Sequence, residues 1–538
     1  MEQEKRLPIG SQDFSDLRKG GFFYVDKTAY IESLVKDSKY FFLSRPRRFG
    51  KSLMLTTLAA DFEGRQELFK GLYLEQAEEE LARKQGREAW TQHTVFLVDF
   101  STGNYSLPNE LSAKLHLFLS AYEERFHITF DPERENSFAG RFERLIKTAY
   151  EQTGKQVVVL IDEYDRALLQ TFYREDMMPI YQANLNTLAS FFSVLKGCDA
   201  YLRFGMISGV TRFSRVSIFS SINNLVDISM QEDYATMYGI SERELEANFM
   251  PELEALAIYH NSASVSELLT LLRRRYDGYL FTRKGERVYN PFSLLHVLRY
   301  KDLGNYWFTG STGSYLSDFL RDAELDIPAL DGNIEYGALE LESYKAVTED
   351  PIPILFQSGY LSIKEYIEEE GVYRLGFPND EVRYAFLSLL VPRVFHVHGS
   401  VKSLTLKFKR AVVEGRVDDF MEQLKSLISG CPYGKGVEAS EDHYQTAVYL
   451  IFKLMGEWVR TEMHSARGRA DCIVETHDTV YIFEFKLLSA GTPEDAIAQI
   501  KRQGYADQFR TEGKKLLLIG ANFDEAARTL GEWHVEEA

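Results

Sequence analysis

Cysteine is scarce in this chain: three in 538 residues, at Cys198, Cys431 and Cys472. They are far apart and odd in number, so they fit neither a disulfide framework nor a zinc-ligand spacing, and a reducing compartment is expected. No apolar run approaches the ~18–20 residues that a membrane span needs. The opening stretch MEQEKRLPIGSQDF has no apolar core of the kind a secretory signal requires. A cytoplasmic protein without a membrane partner follows as the expectation. A basic surplus is missing too. The formal net charge is −18, so a polyanion would have to be met by a local basic patch rather than by the whole surface. Internal repeats and low-complexity tracts are absent. Aromatic residues are plentiful, with 31 Tyr and 37 Phe, which argues against long disordered regions. The length exceeds what one core can organise, and two to four domains are expected.

One further absence is local. The stretch YFFLSRPRRFGKSLMLTTL, residues 40–58, ends like a phosphate-binding loop in Gly50-Lys51-Ser52, yet Arg45 stands where such a loop opens with glycine. The context is nevertheless right. KYFFLS reads as a short buried strand, RPRRFGKS as a turn, and LMLTTLAADF as a helix with apolar residues at helical spacing. Backbone N–H groups at that helix start would face phosphates. Lys51 would reach the β- and γ-phosphates, and the Ser52 hydroxyl would ligate Mg²⁺. Arg47 and Arg48 either add positive charge that compensates for the missing glycine or are solvated.

A second motif supports the first. KQVVVLIDEYD, residues 155–165, is a continuous apolar run ending in Asp162-Glu163. Such a run suits a strand buried on both faces of a parallel sheet, and acids at its carboxyl end stand where ligands bind in open α/β sheets. Asp162 would hold Mg²⁺, directly or through water, and Glu163 would orient or deprotonate the attacking water. A third strand, AYLRFGMISGVTRFS (200–214), ends near Ser208 and Thr211, either of which would sense the γ-phosphate. Arg212 and Arg215 follow; they would touch phosphate in cis or across a subunit interface, or form a basic surface turn. With HTVFLVDFS (93–101) as another strand, the pattern is a doubly wound α/β domain. The nucleotide-binding set comprises Arg47, Arg48, Phe49, Gly50, Lys51, Ser52, Asp162 and Thr211, with Glu163 catalytic and Ser52 and Asp162 on the metal.

The last hundred residues carry a different constellation. ADCIVE and VYIFEFKLL read as two strands of a hairpin joined at THD. Glu484 and Lys486 are two apart and share one strand face, with Phe483 and Phe485 on the other. Across the hairpin, Asp471 falls on the face of Glu484. Two carboxylates and a lysine together suit phosphodiester hydrolysis. Asp471 and Glu484 would bind one or two Mg²⁺, and Lys486 would position water or stabilise developing charge. Glu462 is a further candidate ligand. A lone Glu-x-Lys on a strand is more often a surface ion pair; the upstream Asp471 and the following QIKRQGY lift the reading above that. Residues 431–538 hold 12 Lys and Arg against 18 Asp and Glu, a net of −6. Nonspecific DNA affinity rests on phosphate neutralisation, so this part alone should bind DNA weakly, with Arg467, Arg469, Lys501 and Arg502 as a local patch.

LPIGSQDFSDLRKGGFFYVDKTAYIESL, FFLSRPRRFGKSLMLTTLAADFEG, VVLIDEYD and SGVTRFSRVSIFSSINNLVDIS, with YDGYLF (276–281), YNPFSLL (289–295), YWFTGST (306–312) and LFQSGYLSI (355–363), closely resemble the AAA-ATPase-like family of P-loop proteins. That family commonly carries a C-terminal domain of the PD-(D/E)XK nuclease superfamily. The resemblance implies that a glycine-poor loop is ordinary here, that ATP is bound and hydrolysed with Mg²⁺, and that Gln499 supports the nuclease site. The proline that usually precedes the first acid of that site is Ala470 here. The resemblance also draws attention to Asp26, Lys27 and Thr28, which would shape the adenine or ribose side unless Asp26 is only a helix cap.

The expected fold is α/β. Residues 1–230 form a P-loop ATPase domain and residues 231–430 a helical lid or linker containing a winged-helix-like part. Residues 431–538 form the mixed α/β nuclease-like domain. The function that follows is an ATPase coupled to a Mg²⁺-dependent nuclease, acting on nucleic acid with DNA favoured over RNA. Such coupling suits mobile-element or anti-phage defence. Two other readings stay open: a nucleotide-controlled module that binds nucleic acid or protein without cutting, and an assembly motor that works as a homo-oligomer.

Overall fold

A computed structural model describes residues 6–129, 137–172, 174–212, 219, 222, 224–307, 325–342, 350–395, 401–430, 441–455, 459–465, 468–510 and 513–538. By compactness the chain divides once, into Met1–Glu381 and Val382–Ala538.

The first unit is built on a parallel sheet of β1 (Tyr40–Ser44), β2 (Val95–Asp99), β3 (Val157–Asp162), β4 (Leu202–Gly209) and β5 (Leu225–Asp227), in the order β2-β3-β4-β1-β5. β3 is wholly buried and dominated by valine, isoleucine and leucine, as a strand covered on both faces should be. β5 was not anticipated, because three residues are too few to carry a periodic signal. Parallel neighbours need crossover connections. These carry α1 (Lys51–Phe62), α2 (Glu110–Arg125), α3 (Phe138–Thr153) and α4 (Met178–Gly197). Phe96, Phe118, Phe142 and Phe191 interlock between the sheet and these helices. Because all strands run the same way, Ser44, Asp99, Asp162 and Gly209 lie along one carboxyl edge of the sheet.

After the sheet, β6 (Ile240–Ser241) pairs with β7 (Val288–Tyr289). Helices α5 (Glu242–Tyr259), α6 (Val265–Tyr276) and α7 (Pro291–Tyr300) share an apolar core of Leu245, Phe249, Leu253, Leu272 and Leu294. α5 opens with a capping box between Ser241 and Glu244. A three-stranded antiparallel sheet of β8 (Ile334–Gly337), β9 (Ser362–Ile367) and β10 (Val372–Gly376) follows, in the order β8-β10-β9. Residues 308–324 and 343–349, part of the expected winged-helix-like region, lie outside the described residues. α8 (Asp380–Phe395) carries the chain into the second unit.

That unit holds α9 (Val401–Val413), α10 (Val417–Ser429), α11 (Glu441–Leu454) and a mixed sheet. Its strands are β11 (Val459–Ser465), β12 (Gly468–Glu475), β13 (Thr479–Leu487), β14 (Lys515–Asp524) and β15 (Thr529–Glu537), in that order. β12 and β13 form the expected hairpin; β13 and β14 are parallel, bridged by α12 (Pro493–Gln503). α12 ends where Gly504 adopts φ +66°. α10 packs on β15, so the compact unit begins well before residue 431. Among the described residues no helix is long and apolar enough to cross a membrane.

Candidate functional site

The loop between β1 and α1 is held by side chains rather than by glycine. Arg45, 2% exposed, donates its backbone N–H to the Gly209 carbonyl. Its Nη1 donates to the carbonyls of Ser44 (3.0 Å) and Ser229 (2.5 Å), and its guanidinium lies 4.4 Å from the Phe281 ring centre. Burial lowers its pKa to about 10. Pro46 is met by Gly359, where a Cβ would come within 2.7 Å of the proline ring. Arg48 takes φ +68° and donates to the carbonyls of Tyr306 (2.6 Å) and Trp307 (3.0 Å), over the Phe292 ring. Phe49 packs edge-on against Tyr279 and Phe281. The motifs YDGYLF, YNPFSLL and LFQSGYLSI, with Tyr306 and Trp307, thus converge on RPRRF, and Arg45 and Arg48 act as braces. The guanidinium of Arg48 is engaged with backbone carbonyls; Arg47 stands half-buried beside it.

Gly50 caps α1 at φ +94°, in open space, a conformation that favours glycine. Lys51 opens the helix and is buried, with Nζ donating to the carbonyls of Arg45 and Pro46, both at 3.0 Å. Burial lowers its pKa, against the opposing pull of Glu163, Asp162 and Asp165. The first N–H groups of such a helix have no partner inside it and carry partial positive charge.

β4 stands between the strands that carry Lys51's loop and Asp162. This places the Ser208 hydroxyl 2.7 Å from Asp162 Oδ1. Ser52 also donates to the Asp162 carboxylate. Burial raises the Asp162 pKa, and these two hydroxyls oppose the rise. Of the two γ-phosphate candidates, Ser208 is therefore at the cluster. Thr211 donates its N–H and hydroxyl (2.6 and 2.7 Å) to Asp165. Asp165, 1% exposed, also accepts from the Val210 N–H at 3.0 Å. It was overlooked because the Asp-Glu pair drew attention to itself; its signal was a third acid in IDEYD. Glu163 adopts φ +49°, rare outside glycine, and is held by Arg166 at 2.9 Å. Arg212 forms an ion pair with Asp227. Arg215 lies outside the described residues.

Beside Gly50, Leu53 and Met54 opens an apolar cavity of about 100 Å³, walled by Phe23, Val25 and Tyr238. Lys27 borders it, its Nζ on Glu244 and the Thr236 carbonyl, both at 2.7 Å. Asp26 accepts from the Thr28 N–H and hydroxyl and, 47 residues away, from the Tyr73 N–H.

In the second unit Glu484 is 3% exposed at the centre of the mixed sheet. Gln499 on α12 donates to Glu484 and accepts from Lys486 Nζ at 2.8 Å. Phe483 turns the other way, against Phe452 and Phe420. The helix reaches this position because Gly520 of β14, the ladder neighbour of Glu484, lets it approach: a Cβ there would stand 2.0 Å from the Pro493 carbonyl oxygen. Cys472, next to Asp471 in the chain, pairs with Phe483, next to Glu484. The side chains of Asp471, Glu462 and Arg469 lie outside the described residues, as does Arg467.

The profile of the family described as "Predicted AAA-ATPase" matches residues 8–219, and that of the PD-(D/E)XK nuclease superfamily matches residues 439–533. A protein of Azotobacter chroococcum mcd 1, described as "Uncharacterized protein in vnfD 5'region", is 34% identical over 540 residues, covering 99% of each chain.

Proposed function

The chain belongs to the family of predicted AAA-ATPases with a C-terminal PD-(D/E)XK nuclease-superfamily domain, and from that premise we propose that it hydrolyses ATP and cleaves nucleic acid with Mg²⁺. The family matches support a nucleotide-binding module joined to a nuclease-like one. The finer reading rests on the residues. At the first site Lys51 would leave the loop carbonyls for the phosphates, and the apolar cavity beside Gly50 would take the base. Ser52 and Asp162 offer only oxygen donors, which fits Mg²⁺. Ser208 orients Asp162, and Glu163 holds the attacking water once Arg166 yields it.

The observation that carries the nuclease reading is Gln499. A plain surface pair would join Glu484 to Lys486 directly; here Lys486 donates to Gln499, which donates in turn to buried Glu484. That arrangement fixes a carboxylate and an ammonium side by side without neutralising one with the other. Glu484, with Asp471, would hold Mg²⁺, since carboxylate oxygens suit that ion. When bound, the metal supplies Lewis acidity and lowers the pKa of its water. Lys486 orients the water or steadies charge on the phosphate, and Gln499 keeps both neighbours in place. DNA is the proposed substrate ahead of RNA, in the cytoplasm and in a defence or mobile-element setting. A homo-oligomer would supply an arginine from a neighbouring copy.

The test incubates purified protein with Mg²⁺ or Mn²⁺ and plasmid, linear or single-stranded DNA, or RNA, with and without ATP. Cleavage that disappears in Glu484→Ala/Lys486→Ala supports the nuclease, and a further change in Lys51→Ala couples the two sites. Intact ATP hydrolysis without cleavage under any condition replaces this reading with a nucleotide-controlled module that binds without cutting.

A further inference from the structure

A second cavity, about 20 Å³, lies at the root of the phosphate loop, lined by Ser44, Arg45, Arg212, Ser229, Phe281 and Gln357 among others. Arg45 is almost fully buried there. Its Nη1 is used by two carbonyls, but its Nε and Nη2 have no partner. Gln357, 5% exposed, spends its Oε1 on the Arg212 N–H at 2.8 Å, while its Nε2 has no partner either. Three buried donors without acceptors in one cavity are uncommon in a folded protein. The acceptors nearest these donors already take one bond each: the Ser44 and Ser229 carbonyls from Arg45, Gln357 Oε1 from the Arg212 N–H. Charge is unbalanced as well. Arg212 is paired with Asp227, whose carboxylate also attracts Arg45 from outside the cavity, and among the described residues no carboxylate lines the cavity itself. Burying an unmatched charge is costly.

We propose that this cavity binds a small monovalent anion of halide size, held by Arg45 Nε and Nη2 and Gln357 Nε2. A space of about 20 Å³ admits one water-sized sphere and excludes a phosphate group. A water would satisfy only part of the donors, would bring two hydrogens of its own, and would supply no charge. An anion only accepts, and it supplies the missing charge. The site is independent of the nucleotide and nuclease readings. Its role is to hold Arg45 where it ties the end of β1 to Ser229.

The experiment is thermal unfolding of the full chain, without nucleotide, in potassium chloride, bromide or gluconate at equal ionic strength. The wild type is expected to gain a saturable Tm increase of about 1–3 °C in either halide over gluconate. Gln357→Glu keeps the acceptor for the Arg212 N–H and places a carboxylate beside Arg45. It is expected to melt above the wild type in gluconate and to ignore halide. A wild type indifferent to halide, or a Gln357→Glu protein as responsive as the wild type, overturns the proposal. Bromide-soaked crystals give a reading that does not depend on the variant. An anomalous peak within hydrogen-bond reach of Arg45 Nε supports the site, and water density alone there refutes it.

Discussion

Replacing Gly520 by alanine should silence the second unit's site from the far side of a strand. Gly520 does not sit at positive φ, so alanine meets no backbone penalty, and the effect is purely one of space. The added methyl would stand 2.0 Å from the Pro493 carbonyl oxygen and 3.0 Å from Ile497 Cγ1. The first contact is with backbone, so no rotamer change relieves it. Reaching an ordinary separation requires α12 to retreat by about 1.5 Å, the kind of overpacking that costs about 1–3 kcal/mol. Gln499 lies on the same rigid helix and retreats with it from Glu484 and Lys486. A displacement of that size at a reacting centre costs ~10²-fold in rate. The assay is Mg²⁺-dependent cleavage, alongside nucleotide binding and urea unfolding. Gly520→Ala should lose about two orders of magnitude of cleavage while nucleotide binding stays at the wild-type level. Full cleavage in a variant that unfolds at the wild-type urea concentration would refute the claim that close helix–strand approach places Gln499.

Three other outcomes follow from the first unit. Asp165→Ala orphans two buried N–H groups at about 1–3 kcal/mol each, so urea unfolding should show a loss of about 3–5 kcal/mol, with Asp165→Asn losing less. Ser208→Ala removes one hydroxyl from Asp162, and Mg²⁺-nucleotide affinity measured by fluorescence titration should fall ~5–30-fold, the equivalent of about 1–2 kcal/mol. Glu381 is buried and accepts from the Tyr306 and Trp307 N–H groups, and burial raises its pKa from 4.5 to about 7. The folded chain therefore holds a proton that the unfolded chain releases. This contribution is complete below pH 4.5 and is lost as pH rises toward 7, up to about 3 kcal/mol in all. Glu381→Gln should flatten that fall in unfolding measurements between pH 4.5 and 8; an unchanged slope would assign it to other groups.

Much of this molecule is decided by short-range sequence. The strands at 40–44, 157–162 and 479–487 follow from unbroken or alternating apolar residues. The start of α1 follows from Gly50-Lys51-Ser52, and the shared face of Glu484 and Lys486 from the two-residue period of a strand. These depend only on neighbours within one element, and the two family matches span these stretches. The rest depends on partners far along the chain. Arg45 replaces a glycine because Ser229 and Phe281, 184 and 236 residues away by number, receive its guanidinium. Arg48, read from its charge as a phosphate contact, is turned to the Tyr306 and Trp307 carbonyls. Strand order, not spacing, inserted β4 beside β3 and so put the Ser208 hydroxyl on Asp162 and the Thr211 hydroxyl on Asp165. Periodicity reports which face of an element is apolar, whereas which buried polar group meets which is settled only when the elements pack.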